Sequence, residues 1–419
     1  MFKRFWSFVF LFIFGIIIFT GCIARQDSNN KFVSVTLSGW SNLQEKQLLQ
    51  QVLNEFESLH PQIKVKYDAI ADEYMDVLKT RLIGDTAADI FYLDALEAPG
   101  LIEPGVLEPL DSYVTPEFDI ADFQPSLLAA FQQNGKTYGF PKDFSTLVLF
   151  YNKQAFAEAG LSQPPQTWEE LREYAKKLTV DRNNNGRIDR YGFGITPELA
   201  RQYFVIKAFG GQLTNTSEQA VFASPESLQG LQLIVDQYRQ DQSSAQPSDA
   251  GTTSGGEIFG QGKAAMVIEG PWLIPYLDDT FPQLEYATAE VPTIANKKGT
   301  MAYTVAYVMN KKSQHKQEAW QLLAYLTGKE GMKAWTSTGV ALPTRKSVTQ
   351  ELGYDRKRLY APFIAGANYA TVWQAGKNLP TILNNFNNQF ISAMLGEQTL
   401  AVAMQQAQDT ANREIELMQ

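Results

Sequence analysis

The chain reads as an α/β protein, and three observations predict it. Short β-prone runs alternate with stretches of helical period over the first hundred residues. The same alternation restarts near residue 139. The chain is also long enough, at 419 residues, to bury more than one core, with a length prior of two or three domains.

The elements follow in order. Residues 32–37 (FVSVTL) are β-prone and lead through Trp40, Ser41 and Asn42 into a helix whose Leu49, Val52, Leu53, Phe56 and Leu59 recur at helical spacing. His60-Pro61 stops that run. Ile63, Val65 and Tyr67 alternate as a strand. Tyr74, Val77, Leu78 and Leu82 mark a second helix, and residues 88–93 (ADIFYL) form a short apolar strand. This order predicts right-handed crossovers over a parallel sheet, with ligands at the carboxyl ends of its strands. Trp40 and Asp94 stand at that mouth. After Gly139-Phe140-Pro141, residues 147–151 form an apolar strand. Helices are expected over 168–178, 199–209 and 228–238, and an exposed Gly/Ser-rich loop over 239–256. Strands follow at 263–269 and 301–309, then helices at 317–326, 382–395 and 399–417.

The amino terminus carries an address. Lys3 and Arg4 precede an uncharged apolar run over residues 5–19, then Thr20-Gly21-Cys22 and a polar stretch. That is the pattern of a signal peptide rather than a spanning helix. Residues 20–22 resemble a bacterial lipobox, with Phe19 where leucine is usual. Cys22 is the sole cysteine, so no internal disulfide forms, and acylation is its expected use. Acyl chains gain about 0.8 kcal/mol per buried CH₂, and two signals give stable anchoring. Residues 1–21 are thus expected to be removed and 22–31 to act as a tether in the cell envelope, facing the periplasm or the exterior.

A net charge of −9 and a pI near 5.0 argue against nucleic-acid binding. Catalytic signatures are missing. The two histidines, His60 and His315, lack partners at metal-ligand spacing. Residues 256–263 (GEIFGQGK) have the wrong spacing for a phosphate loop, and Ala264 replaces the hydroxyl residue. Carboxylate pairs leave a secreted glycosidase open in principle. One segment, Asp181 to Asp189 (DRNNNGRID), places Asp181, Asn183, Asn185 and Asp189 at positions 1, 3, 5 and 9 of a calcium-type loop, with Gly186 at 6. The closing glutamate is replaced by Gly192. A structural Ca²⁺ is the one cofactor this sequence suggests; the competing reading is an Asx-rich turn.

From Val33 onward, several segments together resemble the family 1 extracellular solute-binding proteins, a carbohydrate-binding class serving bacterial ABC importers. They are residues 88–94 followed by 105–111 (GVLEPLD), 138–141 (YGFP) with 151–153 (YNK), and 165–171 (PQTWEEL), where Thr167 and Glu170 fit a capping box. The most specific is 259–266 (FGQGKAAM) running into Gly270-Pro271-Trp272, and residues 339–345 (GVALPTR) follow. The resemblance implies a two-lobe clamp with crossovers between the lobes. Residues 32–142 plus 300–345 would form the N-terminal lobe, and 143–299 plus 346–419 the C-terminal lobe. A monomer would close on a carbohydrate and be read by permease subunits, without catalysis.

Sugars need aromatic faces and oriented hydrogen-bonding groups. In maltodextrin-binding members of the family the Gly-Pro-Trp tryptophan stacks on ligand, which makes Trp272 the leading candidate. Glu198, twelve residues before Gly210, falls where such members carry a sugar-binding glutamate. Asp143 and Ser145 follow the YGFP segment, and Trp40 and Asp94 lie at the first-lobe mouth. One of Trp373 and Phe386 is expected to stack, with Tyr303 and Arg345 as weaker candidates. Two departures stand near the expected cleft: Thr304-Val305-Ala306-Tyr307 replaces a family Gly-Gly, and Leu93 replaces a tryptophan. The expected ligand is therefore a smaller saccharide or glycoside. Other readings are a non-sugar solute such as a glycerol phosphoester or polyamine, the glycosidase above, or a sensor module for a membrane kinase.

Overall fold

A computed structural model describes residues 32–418, so the signal segment, Cys22 and the tether lie outside the described residues. Within them the chain builds two large sheets and a small hairpin of Gln132–Gln133 with Lys136–Thr137. Each large sheet has its own core, and a third cluster that includes Phe144, Phe150, Ala302 and Phe363 lies between them. The first sheet runs in the order Thr371–Val372, Met301–Met309, Ile90–Asp94, Val33–Gly39, Ile63–Ala69, with Gly139–Thr146 also paired to Met301–Met309. The three amino-terminal strands are parallel, as the strand–helix alternation predicts. Met301–Met309 is antiparallel to both Ile90–Asp94 and Gly139–Thr146. The second sheet runs Tyr286–Ala289, Val148–Asn152, Ala264–Glu269, Tyr191–Gly194, Ser244–Ala245.

Local chemistry explains the elements. The helix Leu43–Leu59 starts on Asn42, whose side chain accepts from the Glu45 amide at 2.9 Å while Glu45 accepts from the Asn42 amide at 3.0 Å. Its Leu49, Val52, Leu53 and Phe56 enter the first core, but Leu59, the last helical residue, is 61% exposed. The helix Trp168–Leu178 is capped by Thr167, which accepts from the Glu170 amide at 3.2 Å; Glu170 instead bonds the amide of Gln166, one residue earlier than a capping box requires.

The segment 239–256 departs from expectation. Ser244–Ala245 pairs in parallel with Tyr191–Gly194 as an edge strand, a short helical turn spans Pro247–Ala250, and Ser243, Ser244 and Gln246 are buried. A two-residue strand carries no hydrophobic period, so composition alone reads it as loop.

The chain passes between the sheets at three places, all tied together. Leu147 alone separates Gly139–Thr146 from Val148–Asn152. Its amide donates to Met301 O at 3.3 Å, and its carbonyl accepts from Thr300 Oγ1 at 2.7 Å. Phe144 and Leu342 exchange backbone bonds of 2.9 and 2.8 Å, and Thr146 Oγ1 donates to Phe363 O at 2.9 Å. After Thr371–Val372 the chain enters the helix Leu379–Leu395, which joins the second-lobe core with Leu400–Leu417.

Candidate functional site

The register of the first sheet assembles one half of the site. Val305 lies opposite both Asp94 and Asp143, and Tyr303 opposite Ser145. Directly paired residues, and those two apart on one strand, share a face. So Asp94, Asp143, Ser145 and Tyr303 gather on one face; Asp94 and Tyr303 are half-buried, while Asp143 and Ser145 are buried. Burial raises the Asp94 carboxyl to about 6, with the charges of Glu97 and Asp143 adding to the shift and the Leu96 amide opposing it. Asp143 bonds Lys142 Nζ and accepts from Trp335 Nε1 at 2.7 Å. The Lys142 ammonium sits 4.8 Å from the ring centre of Tyr92 and 4.0 Å from that of Trp335. Trp40 meets Tyr74 and Tyr92 edge-on at 5.0 and 5.3 Å.

The second lobe supplies the other half, a cavity of about 350 Å³. It is lined by Glu198, which starts the helix Leu199–Ala208, by Arg201 one turn later, and by Glu269 and Trp272 at the carboxyl end of Ala264–Glu269. Arg201 Nη1 lies 3.0 Å from Glu269 Oε2, Arg201 Nε lies 3.3 Å from Glu198 Oε2, and Trp272 Nε1 donates to Glu269 Oε2 at 3.1 Å. Burial works against the Arg201 charge, but Glu269, Tyr303 and Glu198 hold its pKa above the ordinary arginine value. Two glycines make the arrangement fit. A Cβ on Gly270 would fall 2.2 Å from the Trp272 ring, and one on Gly255 2.3 Å from Glu269 Oε1. Tyr303 links the halves: its ring is 6.2 Å from that of Trp272, and burial pushes its hydroxyl well up, with Asp94 on one side and Glu198 and Glu269 on the other adding to the shift and Arg201 opposing it.

Three expected residues are placed elsewhere. Arg345 is 1% exposed and donates to the carbonyls of Thr327, Asp119 and Phe118 at 2.7, 3.0 and 2.8 Å, with Phe123 and Phe118 stacked beneath it; its donors hold the first lobe together. Phe386 is fully buried against Phe222 and Phe390, because Ile382, Phe386 and Phe390 form the inward stripe of their helix. Trp373 is 3% exposed, edge-on to Tyr203. Neither ring offers an open stacking face.

The Asp181–Asp189 loop is held by its own amides. Asp181 accepts from Asn185 and Gly186 (3.2 and 2.7 Å), Asn183 from Asn185 (3.1 Å), Asn185 from Arg187 (2.8 Å) and Asp189 from Arg182 (2.7 Å). Position 12, Gly192, is built into a strand, and among the described residues no three His, Cys, Asp or Glu side chains converge as a metal site.

Sequence reasoning missed Arg201, Glu269, Lys142 and Trp335. The first two had a readable signal: Arg201 is one turn after Glu198, and Glu269 directly precedes Gly-Pro-Trp. Trp335 lies on a short helix far along the chain, and only the tertiary fold brings it to Asp143.

Comparison with known proteins identifies the family and the fold. Residues 40–333 fit the family described as bacterial extracellular solute-binding proteins, and the chain belongs to that family. It is 27% identical over 350 residues to a Brucella abortus (strain 2308) protein assigned as a binding protein, covering 80% of this chain and 82% of that one. A Listeria monocytogenes ABC substrate-binding protein solved with cycloalternan superposes with a TM-score of 0.81 at 24% identity, over 92% of this chain and 99% of that one. A Thermotoga lettingae solute-binding protein bound to α-D-tagatose gives 0.77 at 25% identity, over 91% and 99%. The two-lobe fold expected from the sequence is therefore the observed one.

Proposed function

We propose that this solute-binding protein captures a short, uncharged sugar or glycoside and presents it to the permease subunits of an ABC importer. The carrying observation is the half-buried Trp272 beside the polar Glu198–Arg201–Glu269 wall, across from the Asp94, Asp143, Ser145 and Tyr303 face. An aromatic plate flanked by fixed donors and acceptors is what a pyranose needs, since its C–H face is apolar and its edge is hydroxylated. The sugars bound by the Listeria and Thermotoga proteins support the same class. A phosphoester would meet the carboxylates of Asp94, Glu198 and Glu269. A polyamine would find Asp143 already bonded to Lys142 and Glu269 to Arg201.

The protein works by binding alone in this proposal, as a monomer. Acylation of Cys22 after removal of residues 1–21 keeps it at the outer face of the membrane. Among the described residues no helix is long and apolar enough to cross a membrane.

A thermal-shift screen against mono- to tetrasaccharides tests the reading, because a ligand bound only by the native state at 100 Kd stabilises by about 2.7 kcal/mol. Trp272→Ala should weaken the best binder by about two- to tenfold or more, given that aromatic packing is worth roughly 0.5–1.5 kcal/mol beyond area burial. A screen in which no sugar moves the midpoint defeats the proposal.

A further inference from the structure

The second-lobe cavity carries more information than its family position. Trp272 spends its indole N–H on Glu269, so the ring offers a ligand only its faces. Directional hydrogen bonding on this side must come from another group. Arg201 is that group. Its Nε is taken by Glu198, and its Nη1 by Glu269 and by the Ile268 carbonyl at 3.2 Å. Nη2 makes no hydrogen bond among the described residues, and the side chain borders the cavity. The guanidinium carbon lies 6.0 Å from the Trp272 ring centre. Glu269 cannot swing away: its side chain is 3% exposed and rests against Gly255 in space that a Cβ would fill. A planar guanidinium fixed on two sides is a preorganised donor, which lowers the ordering cost of binding.

The charge balance then sets the ligand class. Two carboxylates face one guanidinium, leaving one formal negative charge at the cavity. A ligand carboxylate or phosphate would have to compete with Glu198 or Glu269 for Arg201 and would face the remaining carboxylate. Hydroxyls suffer neither penalty.

We infer that Arg201 is the specificity-determining donor of the second-lobe half-site, reading the hydroxyls of a neutral glycosyl unit stacked on Trp272, while Glu198 supplies the charge that turns acidic glycosides away. This rests on the sugar-binding reading and sharpens it.

The test is calorimetry on the full-length protein with D-glucose, D-galactose, D-mannose, their methyl glycosides, maltose and sucrose. The tightest monosaccharide type is then compared with its own uronic acid. Wild type should prefer the neutral sugar by more than tenfold. Arg201→Ala should weaken neutral binding tenfold or more. Arg201→Lys, which keeps the charge but not the fork, should recover only part of the loss. Glu198→Gln is exposed and disturbs no core, so it stays informative where an Arg201 variant misfolds; it should narrow the neutral-to-acid ratio at least fivefold at unchanged melting temperature. A purely structural role for the network would lower stability without moving that ratio. An unchanged ratio in Glu198→Gln, or a wild-type preference for the uronic acid, overturns the inference while leaving sugar binding intact. Failure of every saccharide to bind wild type defeats the broader reading as well.

Discussion

At the residue scale, burial and hydrogen-bond partners decide how each candidate side chain behaves. Asp94 sits at a strand end on the shared face, with a carboxyl raised to about 6 by burial. A raised carboxyl means that the folded state holds a proton the unfolded chain has already released. Stability therefore falls as pH rises from about 4 to about 6, and above that the buried charge costs at most about 3 kcal/mol. Asp94→Asn should melt higher than wild type at pH 7.5 and equally at pH 4; coincident melting curves at both pH values would refute this. Arg345 presents the opposite case. Its three carbonyl partners would lose their donor in Arg345→Ala, and leaving buried polar groups unpaired costs about 1–3 kcal/mol each. That variant should lose much of its stability, while any folded fraction keeps full sugar affinity. Lost affinity at intact stability would return Arg345 to the binding site. Sequence inspection cannot tell Arg345 from an arginine at the cavity such as Arg201, because the Arg345 partners are carbonyls of Phe118, Asp119 and Thr327, more than 200 and 18 positions away along the chain.

At the element scale, the long periodic segments were legible and the short ones were not. Helical spacing placed Leu49, Val52, Leu53 and Phe56 in the core, and β-prone runs located Val33–Gly39, Ile90–Asp94 and Met301–Met309. The edge strand Ser244–Ala245 exists because a neighbour offers backbone partners, so nothing in its own residues announces it. The period that identified Leu379–Leu395 as amphipathic also pointed Ile382, Phe386 and Phe390 inward. The expectation that Phe386 stacks on ligand overlooks that stripe, which helical periodicity assigns to the core. The Asp181–Asp189 loop shows how one pattern supports two physical readings. Its oxygens accept from loop amides, and Gly186 adopts φ +82°, the pattern of an Asx-rich turn. The melting temperature should be the same in excess chelator and in millimolar Ca²⁺, while Gly186→Ala should lower it, since a Cβ is strained at that φ. A calcium-dependent rise in stability would instead make the loop an ion site.

At the scale of the whole molecule, the two half-sites belong to different sheets, and their distance depends on the three crossings between them. Hydrogen bonds from Leu147, Thr300, Phe144 and Thr146, with those of the Thr371 and Trp373 amides to the Thr300 and Ala302 carbonyls, tie those crossings into one strap, the place about which two such lobes would rotate. Facing groups bridge the lobes beyond the strap. Gln374 Nε2 donates to the carbonyls of Ala95 and Ala130, both at 2.8 Å, from the segment leading into the second-lobe helices. Lys377 pairs with Glu103 at 2.8 Å, an exposed contact worth about 0–1 kcal/mol. A ligand that touches Trp272 and Arg201 on one side and Asp143 and Ser145 on the other makes its full set of contacts only when the halves approach. It must therefore shift the population toward the closed arrangement by its difference in affinity for the two states. Small-angle scattering should show the radius of gyration shrinking at saturating concentrations of the tightest sugar. Gln374→Ala removes a bond pair that holds the third crossing to the first lobe, so it should widen the ligand-free ensemble and weaken binding severalfold, with Trp272 and Arg201 intact. Identical scattering with and without sugar, at occupancy verified by calorimetry, would mean that ligand enters a preformed pocket and that hinge closure plays no part in capture.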